Sequence, residues 1–405
     1  MGEKGWDKKF LRNFIDEMKK EGLSPQKMTN YIWKPFLSEG VVFEGEGRDK
    51  NFKKVAIGTG EIKKYLQDAI NKPEDNGSGL FSSDKYALVI YPGFLHHMQR
   101  NPVFVDKKEL RKTPVDITKL SLKEDGSVKE ENIKKGDGLK VAYVFYPRSN
   151  AACDTILDKG YRMISGSPTL RRWVEEEKRK IIFLGFSYGS PLILETLSKM
   201  NSGEFKDDFI LKNTVAFLAV NGAIGGSYLA DALLDAGALI NVNKFKSIMD
   251  IVKPLGWPLG IKSRQERDDL PDGLCSLGHE ERQKKLKEFG ANMPSHIKYF
   301  SIASVLPLYQ YSRRPWNNAD GLTLFFMSLI SYKHTVFNDG QVGFLDAMIP
   351  EFPGVPEENI YHLGAVKSHH WGVGYRTMNL GRNKYPRLSF YRALARTLKE
   401  AGLGR

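Results

Sequence analysis

Cysteine is scarce: only Cys153 and Cys275 occur in 405 residues, far apart and outside any metal-ligand spacing. That excludes a disulfide-stapled scaffold and a cysteine-built zinc site, and a reducing compartment is expected. Long apolar runs are missing as well. No stretch reaches the ~18 residues of a membrane span. The opening MGEKGWDKKFLRNF lacks the apolar core of a signal peptide. Trp6 also breaks the myristoylation pattern, which wants Ser or Thr at that place. A cytoplasmic location is the expectation. There is no internal repeat, no low-complexity tract and no block of like charge. Lys and Arg outnumber Asp and Glu by 61 to 48, a net charge of +13. Because these cations are dispersed, they do not read as a nucleic-acid arm, and no nucleic acid is expected as a partner. An excess of this sign still suits anionic partners, a lipid or membrane interface among them.

What is present is an ordinary globular composition, long enough for one large α/β domain with insertions. Trp6, Phe10, Phe14 and Met18, with Leu11 and Ile15 beside them, form a helical stripe that Gly22 ends. Its aromatics read as packing. Ser24 and Pro25 then suit the start of a second helix. From about residue 84 the pattern changes to short apolar runs: YALVIY (86–91), KVAYVF (140–145), KIIFLG (180–185), TVAFLAV (214–220), IKYFSIA (297–303) and NIYHLGAV (359–366). Several lack polar alternation, as strands covered on both faces do. With helical segments between them they predict a doubly wound, mostly parallel sheet. Leu388, Tyr391, Leu394 and Leu398 predict a last helix, up to Gly402. Two stretches interrupt the rhythm as insertions: a polar, lysine-rich one at 101–139, and 232–296. The expected layout is a helical N-terminal extension (1–83), a core in two parts (84–231 and 297–405) and a cap or lid (232–296).

The run KIIFLG leads straight into Phe186, Ser187, Tyr188 and Gly189, followed by a helix-like segment with Pro191 in its first turn, where proline is tolerated. Strand, tight turn and helix are the setting in which G-x-S-x-G makes a nucleophile elbow. A serine hydroxyl needs a base to take its proton and an acid to orient that base. Downstream, HTVFNDGQVGF supplies Asp339 in a loop, and GAVKSHHWGV supplies the adjacent His369 and His370, in the order such an elbow requires. A turn-forming aspartate and a surface histidine pair are the plainer accounts of each alone. An oxyanion hole needs backbone N–H donors; Tyr188, after the serine, and Phe94, in VIYPGFLHH, are the candidates. NGAIGGS at 221–227 lacks the Lys-Ser/Thr of a P-loop and the spacing of a dinucleotide fingerprint.

On these segments the chain resembles the α/β-hydrolases, and among them the bacterial triacylglycerol lipases and serine esterases. YPGFL is similar to their oxyanion loop, GFSYG to their elbow, VNGAIGGSYLAD to a Gly-Ser segment, and NDGQV to the segment bearing the triad aspartate. The resemblance implies an α/β-hydrolase fold and selects His370, followed by Trp371, over His369. It implies a triad of Ser187, Asp339 and His370 with the Phe94 and Tyr188 amides as oxyanion donors. Where several of these lipases place a calcium-binding aspartate two residues after the histidine, this chain has Gly372. No metal and no cofactor are therefore expected. The function implied is hydrolysis of an ester or lipid substrate. Acyl transfer or thioester hydrolysis by the same triad, and a non-catalytic binding protein on the same fold, stay open. For 232–296, rich in Ile248, Met249, Trp257 and other large apolar residues, a packed cap and a mobile lid over an acyl pocket also stay open.

Overall fold

The computed structural model of the chain describes residues 5–33, 84–94, 96, 113–146, 149, 151–206, 209–239, 270–374 and 385–403. The apolar segment with Ile248, Met249 and Trp257, and with it the choice between packed cap and lid, lies outside the described residues, as do residues 34–83.

Eight strands form one sheet: β1 (Tyr86–Tyr91), β2 (Asp116–Leu122), β3 (Val128–Lys134), β4 (Lys140–Val144), β5 (Lys180–Phe186), β6 (Thr214–Val220), β7 (Lys298–Val305) and β8 (Ile360–Lys367). Their order is β3-β2-β4-β1-β5-β6-β7-β8. Every neighbouring pair is parallel except β2–β3. All six apolar runs are strands; β1 is buried along its whole length, and β6 at all but Val215, because both faces are covered. Alternate residues serve opposite cores: Ala87, Val89 and Tyr91 join one cluster, Tyr86, Leu88 and Ile90 the other.

Residues 101–139, expected as an insertion, carry regular structure in their described part. It holds a hairpin: β2 joins the sheet parallel to β4, and β3 pairs antiparallel to β2 as the edge strand. Ile117 and Leu120 are buried, whereas β3 carries Lys129, Glu130 and Glu131 along an outer edge. Charge on an edge strand blocks pairing with other chains, which is why the composition looks like a loop.

Helix α1 (Trp6–Lys20) lies against the last helix and β8. One turn follows at α2 (Pro25–Met28). Phe10 and Phe14 set their rings 5.8 and 5.9 Å from Phe390. Trp6 meets Tyr361 edge-on at 5.1 Å. Each such buried aromatic contributes about 1.5–3 kcal/mol. Polar contacts tighten the same seam, with Asn13 donating to Thr397 at 3.0 Å and Arg396 pairing with Glu17 at 3.1 Å. Tyr31 accepts from the Lys367 N–H, so the chain after α2 borders the sheet. The N-terminal helix thus shares the core of the sheet.

The remaining helices are α3 (Cys153–Ser165), α4 (Pro168–Glu175), α5 (Gly189–Asn201), α6 (Tyr228–Leu239), α7 (Leu270–Leu277), α8 (His279–Gly290), α9 (Ala319–Ser331), α10 (His370–Gly374) and α11 (Arg387–Leu398). The chain enters the sheet at β1, builds one flank, then crosses to β5 on the other side of β1. Strand order therefore switches between β1 and β5, and the crevice above their carboxyl ends is where open α/β sheets bind ligands.

Candidate active site

Above β5 the backbone turns sharply into α5. Ser187 holds φ at +53°, a left-handed conformation that costs a non-glycine residue roughly 1–3 kcal/mol. Its flanking glycines are required by close approach. A Cβ on Gly185 would lie 2.5 Å from the Ser190 Cα, and one on Gly189 would run into the carbonyl oxygen of Tyr91. The turn is pinned from both sides: the Ser187 N–H donates to the Val220 carbonyl at 3.1 Å, and the Ser187 carbonyl accepts from Ala223 at 3.1 Å. A strained serine held this firmly points its hydroxyl away from the sheet rather than into it.

That hydroxyl meets His370, whose Nε2 lies 2.8 Å from Ser187 Oγ. On its other side His370 Nδ1 donates to Asp339 Oδ2 at 2.6 Å. Since the carboxylate only accepts, the imidazole proton sits on Nδ1 and the Nε2 lone pair faces the serine. All three side chains are buried. The second carboxylate oxygen, Oδ1, accepts the backbone N–H groups of Gln341 (3.0 Å) and Val342 (2.9 Å), which fixes the carboxylate plane. A backbone bond from His370 N–H to the Asp339 carbonyl at 2.8 Å ties the two loops together. The arrangement can pass a proton from serine to imidazole and hold the imidazolium that results.

Of the adjacent histidines, the structure brings His370 to the serine and turns His369 away. The His369 ring stands edge-on to Trp316 at 5.1 Å, fully buried, and neither of its nitrogens has a hydrogen-bond partner among the described residues. Burial, aided by neighbouring His370, pushes it down to about 3 from its ordinary 6.5. It is a neutral core residue at any ordinary pH.

The loop after β1 packs directly on the elbow. A Cβ on Gly93 would fall 2.9 Å from Ser187 Cβ and 3.4 Å from the Phe186 carbonyl oxygen, so only glycine lets this backbone come so near. The Phe94 ring touches that of Tyr188, edge-on at 5.9 Å. Of the residues nominated as oxyanion donors, Tyr188 thus follows the serine directly and Phe94 follows the glycine packed on it.

These features match a known scaffold. No family model matches the sequence, and no curated protein does either. Among solved structures, the metagenomic carboxyl esterase MGS0156 superposes with a TM-score of 0.51 at 19% identity, over 82% of this chain and 81% of that one. The chain has the α/β-hydrolase fold. Two further likenesses are a lipase, BlEst2 of Bacillus licheniformis (TM-score 0.38, 16% identity, 71% and 86% of the two chains), and the phospholipase PlaB of Legionella pneumophila (0.36, 11%, 65% and 45%).

Several supports of this α/β-hydrolase site escape a motif search. Asn221 follows β6 at φ +49°, which asparagine tolerates, and its side-chain amide donates to the His370 carbonyl at 3.1 Å. Its place before Gly222 was the available signal. Asn338 accepts from Ser328 of α9 at 2.7 Å and from the Gly340 N–H at 2.9 Å, so α9 is the back wall of the aspartate loop. His96 accepts the Tyr146 N–H on Nε2 at 3.3 Å and so donates from Nδ1 to the Gly93 carbonyl at 3.1 Å. This imidazole braces the loop that carries Phe94.

Beneath the elbow, Arg282 of α8 is wholly buried and paired with Glu195 of α5, which also accepts from the Cys153 thiol at 3.4 Å. Burial in this cluster pushes the Cys153 thiol well up, so it stays protonated and unreactive. Cys275 is exposed, and both cysteines are free. Gly372 packs so closely on Ser368 Oγ that a side chain there would collide with it. Among the described residues, no three His, Cys, Asp or Glu side chains gather to hold a metal ion.

Proposed function

We propose that the protein is a serine hydrolase that cleaves carboxylic esters through an acyl-enzyme. The reading rests on one observation: the unbroken hydrogen-bonded chain Ser187–His370–Asp339 on a strained elbow at the switch point of the sheet. Ser187 Oγ attacks the ester carbonyl while His370 Nε2 takes its proton. Asp339 holds the imidazole tautomer and balances its positive charge. The oxyanion is stabilised by the amides of Tyr188 and Phe94, since donors fixed before the reaction carry no reorganisation cost. On collapse His370 returns the proton to the leaving alcohol. A water then attacks the acyl carbon, giving its proton to the same Nε2, and collapse releases the acid as Nε2 returns that proton to Ser187 Oγ. The carboxyl esterase noted above lends its class to this reading, and an ester with an acyl chain is the substrate it implies.

The test is hydrolysis of a water-soluble nitrophenyl ester. Ser187→Ala and His370→Ala should each lower kcat by about 10⁴-fold or more with the melting temperature little changed. His369→Ala should keep most activity. If the wild type turns over no ester, or if Ser187→Ala is as active as wild type, the triad reading fails and a binding role on this fold takes its place.

A further inference from the structure

Helix α9 carries large apolar side chains on its outer face as well as its inner one. Going along it, Leu322, Phe326, Leu329 and Ile330 recur at helical spacing on one stripe, and they are 53, 45, 41 and 37% exposed. The opposite face, turned to the protein, carries Asp320, Leu324, Ser328 and Ser331, all buried, with Phe325 and Met327 packed beside them. Core formation explains the inner side, where Leu324 packs and Ser328 holds Asn338 beside the aspartate loop. It does not explain four large apolar side chains facing out together, which mark a contact surface in a water-soluble fold. Tyr309 and Tyr332, 62 and 44% exposed, flank the stripe. Cations border it, with Arg313 and Arg314 before the helix and Lys333 after it, all exposed, and none is ion-paired to an acid among the described residues.

We propose that this face of α9 docks on an anionic lipid surface. The proposal deepens the ester-hydrolase reading and rests on it for the reason a lipid is near. An apolar stripe edged by tyrosines and cations is the composition of a helix lying in a membrane interface, its apolar face among acyl chains and its cations at the headgroups. The helix lies on the surface rather than crossing it. At 13 residues it spans about 20 Å, short of the ~30 Å hydrocarbon core. Because its inner face backs the Asp339 loop, docking would bring the lipid to the same side of the sheet as Ser187.

The test separates docking from chemistry by using the Ser187→Ala protein, which cannot consume the vesicles. It should sediment with phosphatidylcholine vesicles that contain phosphatidylglycerol, far less with phosphatidylcholine alone, and less as salt is raised. Added to this background, Leu329→Glu or Phe326→Glu should lower the bound fraction roughly tenfold or more without lowering the melting temperature. Lys333→Gln should weaken binding roughly fivefold, the worth of one cation at such a surface. With Ser187 restored, Leu329→Glu should leave turnover of a water-soluble nitrophenyl ester unchanged. Absence of binding to the anionic vesicles overturns the proposal, as does binding that both glutamate variants retain. So does a protein that is dimeric until Leu329→Glu makes it monomeric and that ignores vesicles, which would give the face to a second copy. A large fall in melting temperature on Leu329→Glu, again without vesicle binding, would give it to the chain itself. Vesicle binding says nothing of turnover, so the hydrolase reading fails only if the soluble ester is not cleaved.

Discussion

Replacing His369 by leucine should remove an acid-sensitive weak point without touching the chemistry. The imidazole is enclosed against Trp316, with no partner for either nitrogen among the described residues. Its folded-state value is held near 3, against 6.5 when exposed, first by desolvation, then by His370. The sign follows from which state binds the proton. As pH falls below about 6.5 the unfolded chain takes up a proton that the folded protein refuses, so this group withdraws stability as the solution is acidified. The slope approaches about 1.4 kcal/mol per pH unit. Between about pH 7 and about pH 5 the loss amounts to about 2 kcal/mol, and it continues until the folded value is reached. Leucine has nearly the same volume and no polar atom to bury, so at neutral pH the exchange should be close to neutral. Urea unfolding at both pH values measures it: the wild type should lose about 2 kcal/mol more than His369→Leu over this interval. Equal losses would refute the burial argument. A folded but inactive His369→Leu protein would refute the assignment of roles to the two histidines.

Gly93→Ala should force the loop off the elbow, since its methyl would lie 2.9 Å from Ser187 Cβ. Loss of one oxyanion donor predicts a fall in kcat of about 10²–10³-fold; an unchanged kcat would show that the loop does not serve the oxyanion. Arg282→Met should leave Glu195 charged and unpaired in the core, costing about 3–5 kcal/mol in denaturant unfolding, with much of this recovered when Glu195→Gln is added. Recovery of none would mean that the guanidinium acts through packing alone. Activity and melting temperature should survive EDTA, given Gly372 packed on Ser368; losses reversed by calcium would place a metal in the fold.

Much of this molecule is legible in the sequence because burial on both faces leaves a plain mark. The six apolar runs needed no partner to be read as strands, and a serine between Gly185 and Gly189 is a local signal with a local cause. The edge hairpin was not legible: β3 pairs on one side only, so Lys129 and Glu131 face solvent and mimic a loop, while Glu130 accepts from Ser167 and Thr169 far along the chain. The choice between His369 and His370 needed a resemblance, because neighbours in sequence share every compositional cue and differ only in where the backbone aims them. Glu195 and Arg282 stand 87 residues apart, and nothing near either one announces the other. Helix α9 was not legible either, because its apolar residues divide between the core, which takes Leu324, and the surface, which takes Leu322, Phe326, Leu329 and Ile330.

The central claim is that Ser187 is an activated nucleophile. A fluorophosphonate probe reacts with a serine hydroxyl only where a base takes its proton and donors receive the phosphoryl oxygen, so peptide mapping of the labelled protein tests that claim directly. The account predicts a single adduct on the peptide containing Ser187, abolished in Ser187→Ala and nearly so in His370→Ala, and retained in His369→Leu. An unlabelled wild type, or an adduct on any other serine, would contradict it.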